Sequence, residues 1–248
     1  MGLIPSHRHS AEDLEHWRKM EAFDALLAKS PALEAKEAKA LQVIREFAAR
    51  GPCYVGTSWG KDSIVVAHLA WRLYAEGLRL PVVWLPAGGL ENPDCPRVRD
   101  AFLARFPVDY HEVEAASEER PWGETEGHDG AQKAFEREAR RFGKRYISGV
   151  RAEESGVRRL RMRMDGEISR NTCRPIGWWK GEEVFAYLHK YDLPIHPAYA
   201  MSFGGMLDRK MIRVSTIGGE RGRRFGRGEW ERHYYGDVLE SINENSRS

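Results

Sequence analysis

Short apolar segments alternate with helical segments along residues 53–150, and this alternation limits the folds open to the chain. The sequence predicts helices over 61–76, 96–106 and 131–142, and the first of them ends at Gly77. Strands that alternate with helices form βαβ units with right-handed crossovers, so we expect an α/β fold with a doubly wound, mostly parallel sheet. The predicted strands are CYVGTS (53–58), PVVWLP (81–86), VDYHEV (108–113) and KRYISGV (144–150).

Two further regions flank this α/β segment. Apolar residues at spacings of three and four predict amphipathic helices over 11–29 and 33–49. Towards the C-terminus, the proline-spaced segment LPIHPAY leads into a Gly/Arg-rich and then aromatic end. We therefore predict a helical extension (1–35), an α/β domain (36–200) and a C-terminal lid or tail (201–248). The N-terminal helices are candidate surfaces for a homodimer or a protein partner.

The composition argues against several classes of protein. The 248 residues carry a formal net charge of +2, which gives no global attraction to nucleic acid or to anionic membranes. The longest apolar runs are far shorter than a membrane span, and we expect a cytoplasmic protein without membrane attachment. Three cysteines without a CxxC pair, and nine histidines without a helical HxxxH pair, argue against a disulfide framework and a zinc site.

Three loops directly follow predicted strands, at 58–63, 86–94 and 149–159. The carboxyl ends of parallel strands meet at one edge of a sheet, and ligands of such sheets bind at that edge. The first loop, within GTSWGKDSIVV, leads into a helix N-terminus, where unpaired N–H groups and the helix dipole favour an anion. The candidate binding residues there are Thr57, Ser58, Trp59, Gly60, Lys61, Asp62 and Ser63.

The residue types of this loop suit a phosphate. Gly60 allows close backbone approach, Lys61 adds a point charge, and Asp62 can hold a magnesium ion on a phosphate. The alternative is an ordinary strand-to-helix turn capped by Asp62 or Ser63. The loop is not a Walker A motif, because Lys61 is followed by an aspartate rather than by serine or threonine.

Four segments, in order, resemble one known family. SWGKDS resembles the S-G-G-x-D-S pyrophosphate loop of the adenine nucleotide alpha-hydrolase (PP-loop ATP pyrophosphatase) superfamily, with Trp59 in place of the first glycine. YISGVRAEESGVRR, RPIGWWKGEEVFAYLHKYDLPIHPAY and IRVSTIGGERG resemble later segments of its phosphoadenosine phosphosulfate (PAPS) reductase family. The resemblance spans about residues 40–222 and implies a Rossmann-like PP-loop domain over 36–200, as in relatives from bacteria and phages.

The resemblance also implies roles for individual residues. The loop 58–63 would wrap the phosphates of an adenine nucleotide, while Arg151 and Arg158 would neutralise phosphate or sulfate charge, because a guanidinium pairs two oxygens at once. Three glycines would lie beside the nucleotide: Gly88, Gly149 and Gly218. The following arginines are instead expected on a solvated helix face: Arg159, Arg161 and Arg163.

The chain departs from the PAPS reductase pattern where sulfur chemistry would occur. Those reductases use a cysteine near the C-terminus, whereas no cysteine follows Cys173 here. STIGGERG also stands where a cluster-binding cysteine pair would be expected, so we expect no iron–sulfur cluster. ATP with Mg²⁺ is therefore favoured over PAPS.

The activity that this implies is attack of an acceptor oxygen on the α-phosphorus with release of pyrophosphate, in nucleic-acid or sulfur modification. Lys61, Asp62, Arg151 and Arg158 would act on the phosphates, and Cys173 is the candidate thiol.

Two other functions fit the same residues. One is a PAPS or adenylyl sulfate reductase that uses Cys173 or the thiol of a partner. The other is a non-catalytic nucleotide sensor that binds DNA or protein. Basic and aromatic residues between 209 and 235 suit a nucleic-acid backbone with stacking on exposed bases. The alternative is a flexible basic loop whose aromatic neighbours pack into the lid.

Trp59 is the departure within the loop itself. Either the backbone there keeps an ordinary negative φ and the ring packs beside the nucleotide, or the loop is reshaped and binding is weakened. We predict the first arrangement, with the indole as a wall of the site.

Overall fold

A five-stranded parallel sheet organises the part of the chain that the computed structural model describes, which is residues 2–87, 90–113, 141–218 and 226–245. The spatial order is β3-β2-β1-β4-β5, and every neighbouring pair is parallel. The chain thus winds outwards from β1 in both directions, which confirms the predicted α/β, doubly wound fold. The strands are β1 (Tyr54–Thr57), β2 (Val82–Trp84), β3 (Tyr110–Glu112), β4 (Tyr146–Ile147) and β5 (Thr172–Cys173).

Helices connect the strands and extend both ends of the described chain. Their limits follow local signals: Ser10 caps the first helix through the Asp13 N–H, and Ser30 caps the second just before Pro31. Gly77, at φ 83°, ends the turn that extends the third helix. The helices are α1 (Ala11–Leu27), α2 (Pro31–Ala48), α3 (Lys61–Arg72), α4 (Cys95–Leu103), α5 (Gly156–Asp165), α6 (Gly181–Lys190), α7 (Arg227–Tyr234) and α8 (Gly236–Asn245).

The four predicted strands are present, each shorter than predicted. β5 was not predicted, because two residues are too few to show a period; its partners are residues of β4, through Tyr146 opposite Thr172 and Ile147 opposite Cys173. Most of the predicted helix over 131–142 lies outside the described residues. No helix of the described ranges is long and apolar enough to cross a membrane.

The two faces of the sheet bury different side chains. Val55 of β1 and Val82 of β2 join the main core, whereas the neighbouring Tyr54 and Val83 join a second cluster with Phe142. This alternation is the period of two that a strand imposes on its side chains. Burial on both faces anchors the sheet and fixes where its carboxyl edge lies.

The N-terminal helices pack on the domain. Trp17 of α1 meets Phe185 of α6 edge-on, with ring centroids 6.0 Å apart, and the buried Asp13 accepts hydrogen bonds from the N–H groups of Ser202 and Gly204. The predicted boundary at residue 35 falls inside α2. The partner surface expected on these helices stays a prediction.

The described C-terminal residues also belong to the core. Trp230, Tyr234 and Tyr235 are buried, and the Trp230 indole N–H donates to the Met201 carbonyl oxygen at 2.6 Å. These rings are therefore not available to stack on nucleic-acid bases, which corrects that part of the tail prediction. The buried Arg209 is likewise committed to a two-pronged ion pair with Asp24. Residues 219–225, which hold further arginines, lie outside the described residues.

Candidate active site

Hydrogen bonds from side-chain hydroxyl groups hold the conformation of the loop between β1 and α3. Ser63 Oγ accepts from the Ser58 N–H at 3.2 Å and donates to the Gly60 carbonyl oxygen at 3.0 Å. Thr57 Oγ1 donates to Ser63 Oγ at 3.3 Å and accepts from the Trp59 N–H at 3.2 Å. Thr57 and Ser63 thus shape the loop from inside, while the Ser58 side chain is exposed.

Three backbone N–H groups at the start of α3 lack a hydrogen-bond partner among the described residues. They belong to Gly60, Asp62 and Ser63, whereas the intervening Lys61 N–H is bonded to Tyr199. Unpaired donors at a helix N-terminus, together with the helix dipole, attract an anion. This is the arrangement that the sequence predicted for a phosphate site.

Tyr199 is a site residue that was not predicted from the sequence. Its hydroxyl accepts from the Lys61 N–H at 3.0 Å, and the Lys61 ammonium lies 5.2 Å from the ring centroid. A Cβ added to Gly60 would lie 3.1 Å from the Tyr199 hydroxyl oxygen and 3.2 Å from Val214 Cγ2, so Gly60 has little room for a side chain. The signal was available in LPIHPAY, whose final residue is Tyr199.

Two buried cations share the carboxylate of Asp62. Lys61 Nζ lies 3.0 Å from Asp62 Oδ2, and Arg151 Nε lies 2.6 Å from Asp62 Oδ1. Arg151 also pairs with Glu153 at 2.7 Å and donates to the Trp179 carbonyl oxygen at 3.2 Å. Burial opposes the charged form of Lys61, but Tyr199 and Asp62 outweigh it, so the pKa of Lys61 lies above its ordinary value. Lys61 is therefore a permanent cation at neutral pH.

This geometry bears on the predicted magnesium ligand. Both carboxylate oxygens of Asp62 face cations, and no group of three His, Cys, Asp or Glu side chains in the described ranges could hold a metal ion. The described residues thus do not form a metal site of their own. Mg²⁺ coordination by Asp62 stays a prediction, and the ion would share these carboxylate oxygens with Lys61 and Arg151.

Gly149 brings the end of β4 against the start of α3. A Cβ at this position would lie 2.8 Å from the Asp62 carbonyl carbon and 2.9 Å from its oxygen. Only glycine permits this approach without displacing the backbone. Gly149 thus allows Arg151 to lie beside Asp62, and its role in nucleotide binding stays a prediction.

The other predicted site residues lie farther from this cluster or outside the described residues. Arg158 of α5 pairs with Glu154, and no contact joins it to the loop. Gly218, at φ 76°, donates to Glu231 Oε2 at 3.3 Å and faces α8, although the neighbouring Ile217 N–H bonds the Leu90 carbonyl oxygen. Gly88 lies outside the described residues.

Trp59 contradicts its predicted conformation. Its φ is +54°, and its ring is fully buried rather than forming a wall of the site. The ring centroid lies 5.7 Å from that of Phe102 in α4 and 5.7 Å from that of Tyr110 in β3. Burial of a large ring compensates for a left-handed backbone that usually favours glycine. The loop thus retains a turn of the kind that glycine favours, and the buried Trp59 ring attaches it to the core.

The thiols of the chain are all buried. Cys173 lies within β5, its Sγ is 3.9 Å from the Val43 carbonyl oxygen of α2, and burial raises the pKa of the thiol. Cys173 is therefore not placed as a nucleophile in this conformation. Cys95 lies closer, with Sγ 3.8 Å from the Ser58 carbonyl oxygen and 3.7 Å from His196 Nε2, yet burial also raises its pKa well above the ordinary value.

Comparison with known families bears directly on this site. The family model described as the phosphoadenosine phosphosulfate reductase domain matches residues 52–220, well over half of the chain. The chain belongs to this family. The PAPS reductase domain family lies within the PP-loop adenine nucleotide alpha-hydrolase superfamily, so the predicted superfamily is confirmed. The matched range contains β1 to β5, the loop between β1 and α3, and Tyr199.

Individual proteins are similar to this member of the PAPS reductase domain family over most of its length. A phosphoadenosine 5'-phosphosulfate reductase from Synechococcus sp. is 26% identical over 164 residues, which cover 60% of this chain and 69% of that protein. The structure of a PAPS reductase from Candida auris is 12% identical, with a TM-score of 0.46 and coverage of 72% of this chain and 88% of the other. An NMN synthetase from Francisella tularensis is 14% identical, with a TM-score of 0.47 and coverage of 85% and 91%.

Proposed function

We propose that this protein binds ATP at the start of α3 and cleaves it between the α- and β-phosphates, releasing pyrophosphate and adenylylating an acceptor. The observation that carries the proposal is the set of unpaired N–H groups at Gly60, Asp62 and Ser63 beside the buried ammonium of Lys61. Fixed donors and a nearby cation are the groups that stabilise charge on a transferring phosphoryl group.

The reaction would form one bond and break one. An acceptor oxygen attacks the α-phosphorus, the bond from that phosphorus to the bridging oxygen breaks, and the electron pair leaves with pyrophosphate. Any proton on the attacking oxygen passes to water. The backbone donors of α3 would hold the phosphate oxygens in place, which lowers the barrier by positioning and by electrostatic stabilisation.

Lys61 would change partners when the nucleotide binds. Its ammonium pairs with Asp62 Oδ2, and Arg151 holds the other carboxylate oxygen of Asp62. A phosphate can therefore take the ammonium of Lys61 while Arg151 continues to neutralise Asp62. The role proposed for these residues is positioning of the phosphates and neutralisation of their charge.

The state of the thiols supports nucleotidyl transfer over sulfate reduction by a protein cysteine. All three cysteines of the chain are buried, and burial raises the pKa of both Cys95 and Cys173. A buried thiol with a raised pKa is a poor nucleophile at neutral pH. Reduction of PAPS with a partner's thiol is the second candidate, because the Synechococcus relative is a PAPS reductase.

The test is a product analysis with ATP labelled on the α-phosphate. We expect AMP or an adenylylated acceptor together with pyrophosphate, and no ADP. Lys61→Met should abolish pyrophosphate release, while Lys29→Met, at an exposed lysine in the turn between α1 and α2, should retain it. Formation of ADP, or equal activity of the two variants, would contradict the proposal.

Ligand binding separates the two candidates. Because a ligand that binds only the folded state raises the midpoint of thermal unfolding, ATP, AMP, PAPS and adenylyl sulfate are compared, each with and without Mg²⁺. The larger shift is expected with ATP. A larger shift with PAPS, together with thiol-dependent release of sulfite, would establish the second candidate instead.

A further inference from the structure

Helix α5 carries its apolar side chains on the face that points away from the protein. Val157, Leu160 and Met164 are 66%, 58% and 75% exposed, whereas Met162 is the one buried residue of the helix. Residues at i, i+3 and i+7 lie in one stripe along a helix. We call these three side chains the α5 ridge. An amphipathic helix normally turns such a stripe to the core, so the orientation of α5 is reversed.

An N-terminal cap and one packing contact hold the helix in place. Ser155 caps its N-terminus, accepting from the Arg158 N–H at 3.1 Å. On the inner side, a Cβ added to Gly177 would lie 2.3 Å from the Met162 methyl carbon, so Gly177 packs tightly beneath Met162. The ridge is therefore presented to solvent by a fixed element.

Two arginines flank the ridge. At about 100° per residue, Arg161 falls on one side of the ridge and Arg163 on the other, whereas Arg159 lies nearer the inner face that carries Met162. Neither Arg161 nor Arg163 forms an ion pair or a side-chain hydrogen bond with a described residue, in contrast to Arg158, which pairs with Glu154. The outer face of α5 thus combines an apolar centre with two cations that no described residue neutralises.

We propose that the α5 ridge is a docking site for a protein partner that offers an apolar groove edged with carboxylates. The apolar centre needs an apolar surface to cover it, and the flanking arginines need anions on both sides of that surface. A nucleic-acid backbone supplies the anions but no groove for three aliphatic side chains. A second copy docked through the same ridge would set arginine against arginine.

The ridge lies close to the site along the chain. Only the short turn Ala152–Glu154 and Ser155 separate Arg151 from the first residue of α5. A protein bound to α5 would therefore contact the segment that follows β4 at the carboxyl edge of the sheet. The inference concerns binding alone and does not depend on which nucleotide the site takes.

The test begins with a photo-crosslinking amino acid at position 160 in the native host, with position 26 as the control. Leu26 of α1 is a matched site, because it is 70% exposed on a helix distant in sequence from the ridge. We expect a protein that crosslinks from position 160 and not from position 26. A nuclease-sensitive product, a crosslink only within this chain or to a second copy of it, or no crosslink at all would overturn the proposal.

Affinity measurements with the purified crosslinked protein complete the test. Leu160→Glu and the double change Arg161→Glu/Arg163→Glu should each weaken its binding by about tenfold or more, and the double change should also reduce the salt dependence. Leu26→Glu should leave the Kd unchanged. Because all these side chains are exposed, the thermal midpoints should also be unchanged, so lost binding does not report unfolding. Equal affinity of all variants would overturn the proposal.

Discussion

The hydroxyl of Tyr199 accepts a 3.0 Å hydrogen bond from the backbone N–H of Lys61, the first residue of α3. Tyr199 lies 138 positions from Lys61 in the chain, yet its hydroxyl is the hydrogen-bond acceptor for the Lys61 N–H at this helix N-terminus. One of the first N–H groups of α3 is thereby satisfied by the protein, and its neighbours at Gly60, Asp62 and Ser63 are left for a ligand.

Tyr199→Phe should weaken nucleotide binding while keeping the ring under the Lys61 ammonium. Loss of the hydrogen bond should lower the free energy of unfolding by about 0.5–1.5 kcal/mol. The control is Tyr74→Phe, because the Tyr74 hydroxyl likewise accepts an N–H, from Asp109 at 3.0 Å, and also donates to the Leu80 carbonyl oxygen at 3.1 Å, but joins segments that precede β3. Urea unfolding and calorimetry with ATP should show at least as much destabilisation for Tyr74→Phe as for Tyr199→Phe, and weaker binding only for Tyr199→Phe. Equal ATP affinity of the two variants would show that the Tyr199 hydroxyl does not contribute to nucleotide binding.

Gly149→Ala should destabilise the protein and impair ligand binding, because the new methyl group would lie 2.8–2.9 Å from backbone atoms of Asp62. Overpacking of this kind costs about 1–3 kcal/mol. Gly156→Ala, at the first position of α5 with no atom within 4 Å of its Cβ, is the matched control and should be neutral or slightly stabilising. Thermal unfolding with and without ATP measures both effects, and an unperturbed Gly149→Ala would show that the contact is not tight.

Trp59→Ala should cost about 3–5 kcal/mol of the free energy of unfolding, because the variant loses a fully buried ring. Trp178→Ala, at an indole that is 43% exposed, should cost much less. The left-handed φ of +54° adds a second expectation: Trp59→Gly should be at least as stable as Trp59→Ala, the reverse of their usual order. A markedly less stable glycine variant, measured by urea unfolding, would contradict that backbone conformation.

Acid should destabilise the protein through two buried histidines. Burial lowers the pKa of His68 and of His196 to about 3. Between pH 6.5 and 3 the unfolded chain therefore binds protons that the folded protein does not. The free energy of unfolding should fall with falling pH by up to about 1.4 kcal/mol per pH unit for each histidine.

The slope of the free energy of unfolding against pH measures the contribution of each histidine. His68→Gln and His196→Gln should each flatten it between pH 7.5 and pH 4, measured by urea unfolding. His7→Gln, at an exposed position, should leave the slope unchanged. A wild-type slope in either buried-histidine variant would show that the histidine is not held neutral in the fold.

The sequence predicted the architecture well where the signals were local. Apolar runs and the Gly77 stop lie within a few residues of what they specify, so four strands and the first helices were predictable. β5 was missed because only its pairing with β4 defines it.

The position of the site was predictable, but the hydrogen bonds and ion pairs among its residues were not. The strand-to-helix loop marked the start of α3, but the sequence could not show that Ser63 bonds within the loop, or that Asp62 neutralises two cations. Trp59 was misjudged because substitution of a glycine suggested an ordinary negative φ, whereas contacts with α4 and β3 support the left-handed backbone. Phe102 and Tyr110, the ring partners of Trp59, lie far along the chain, beyond the reach of spacing arguments.

Close packing at Gly149 and the ion pair between Arg151 and Asp62 both hold the end of β4 against the start of α3. The unpaired N–H groups of α3 are therefore positioned before any ligand arrives. We expect this preorganisation to reduce the conformational entropy that the protein loses when a phosphate binds.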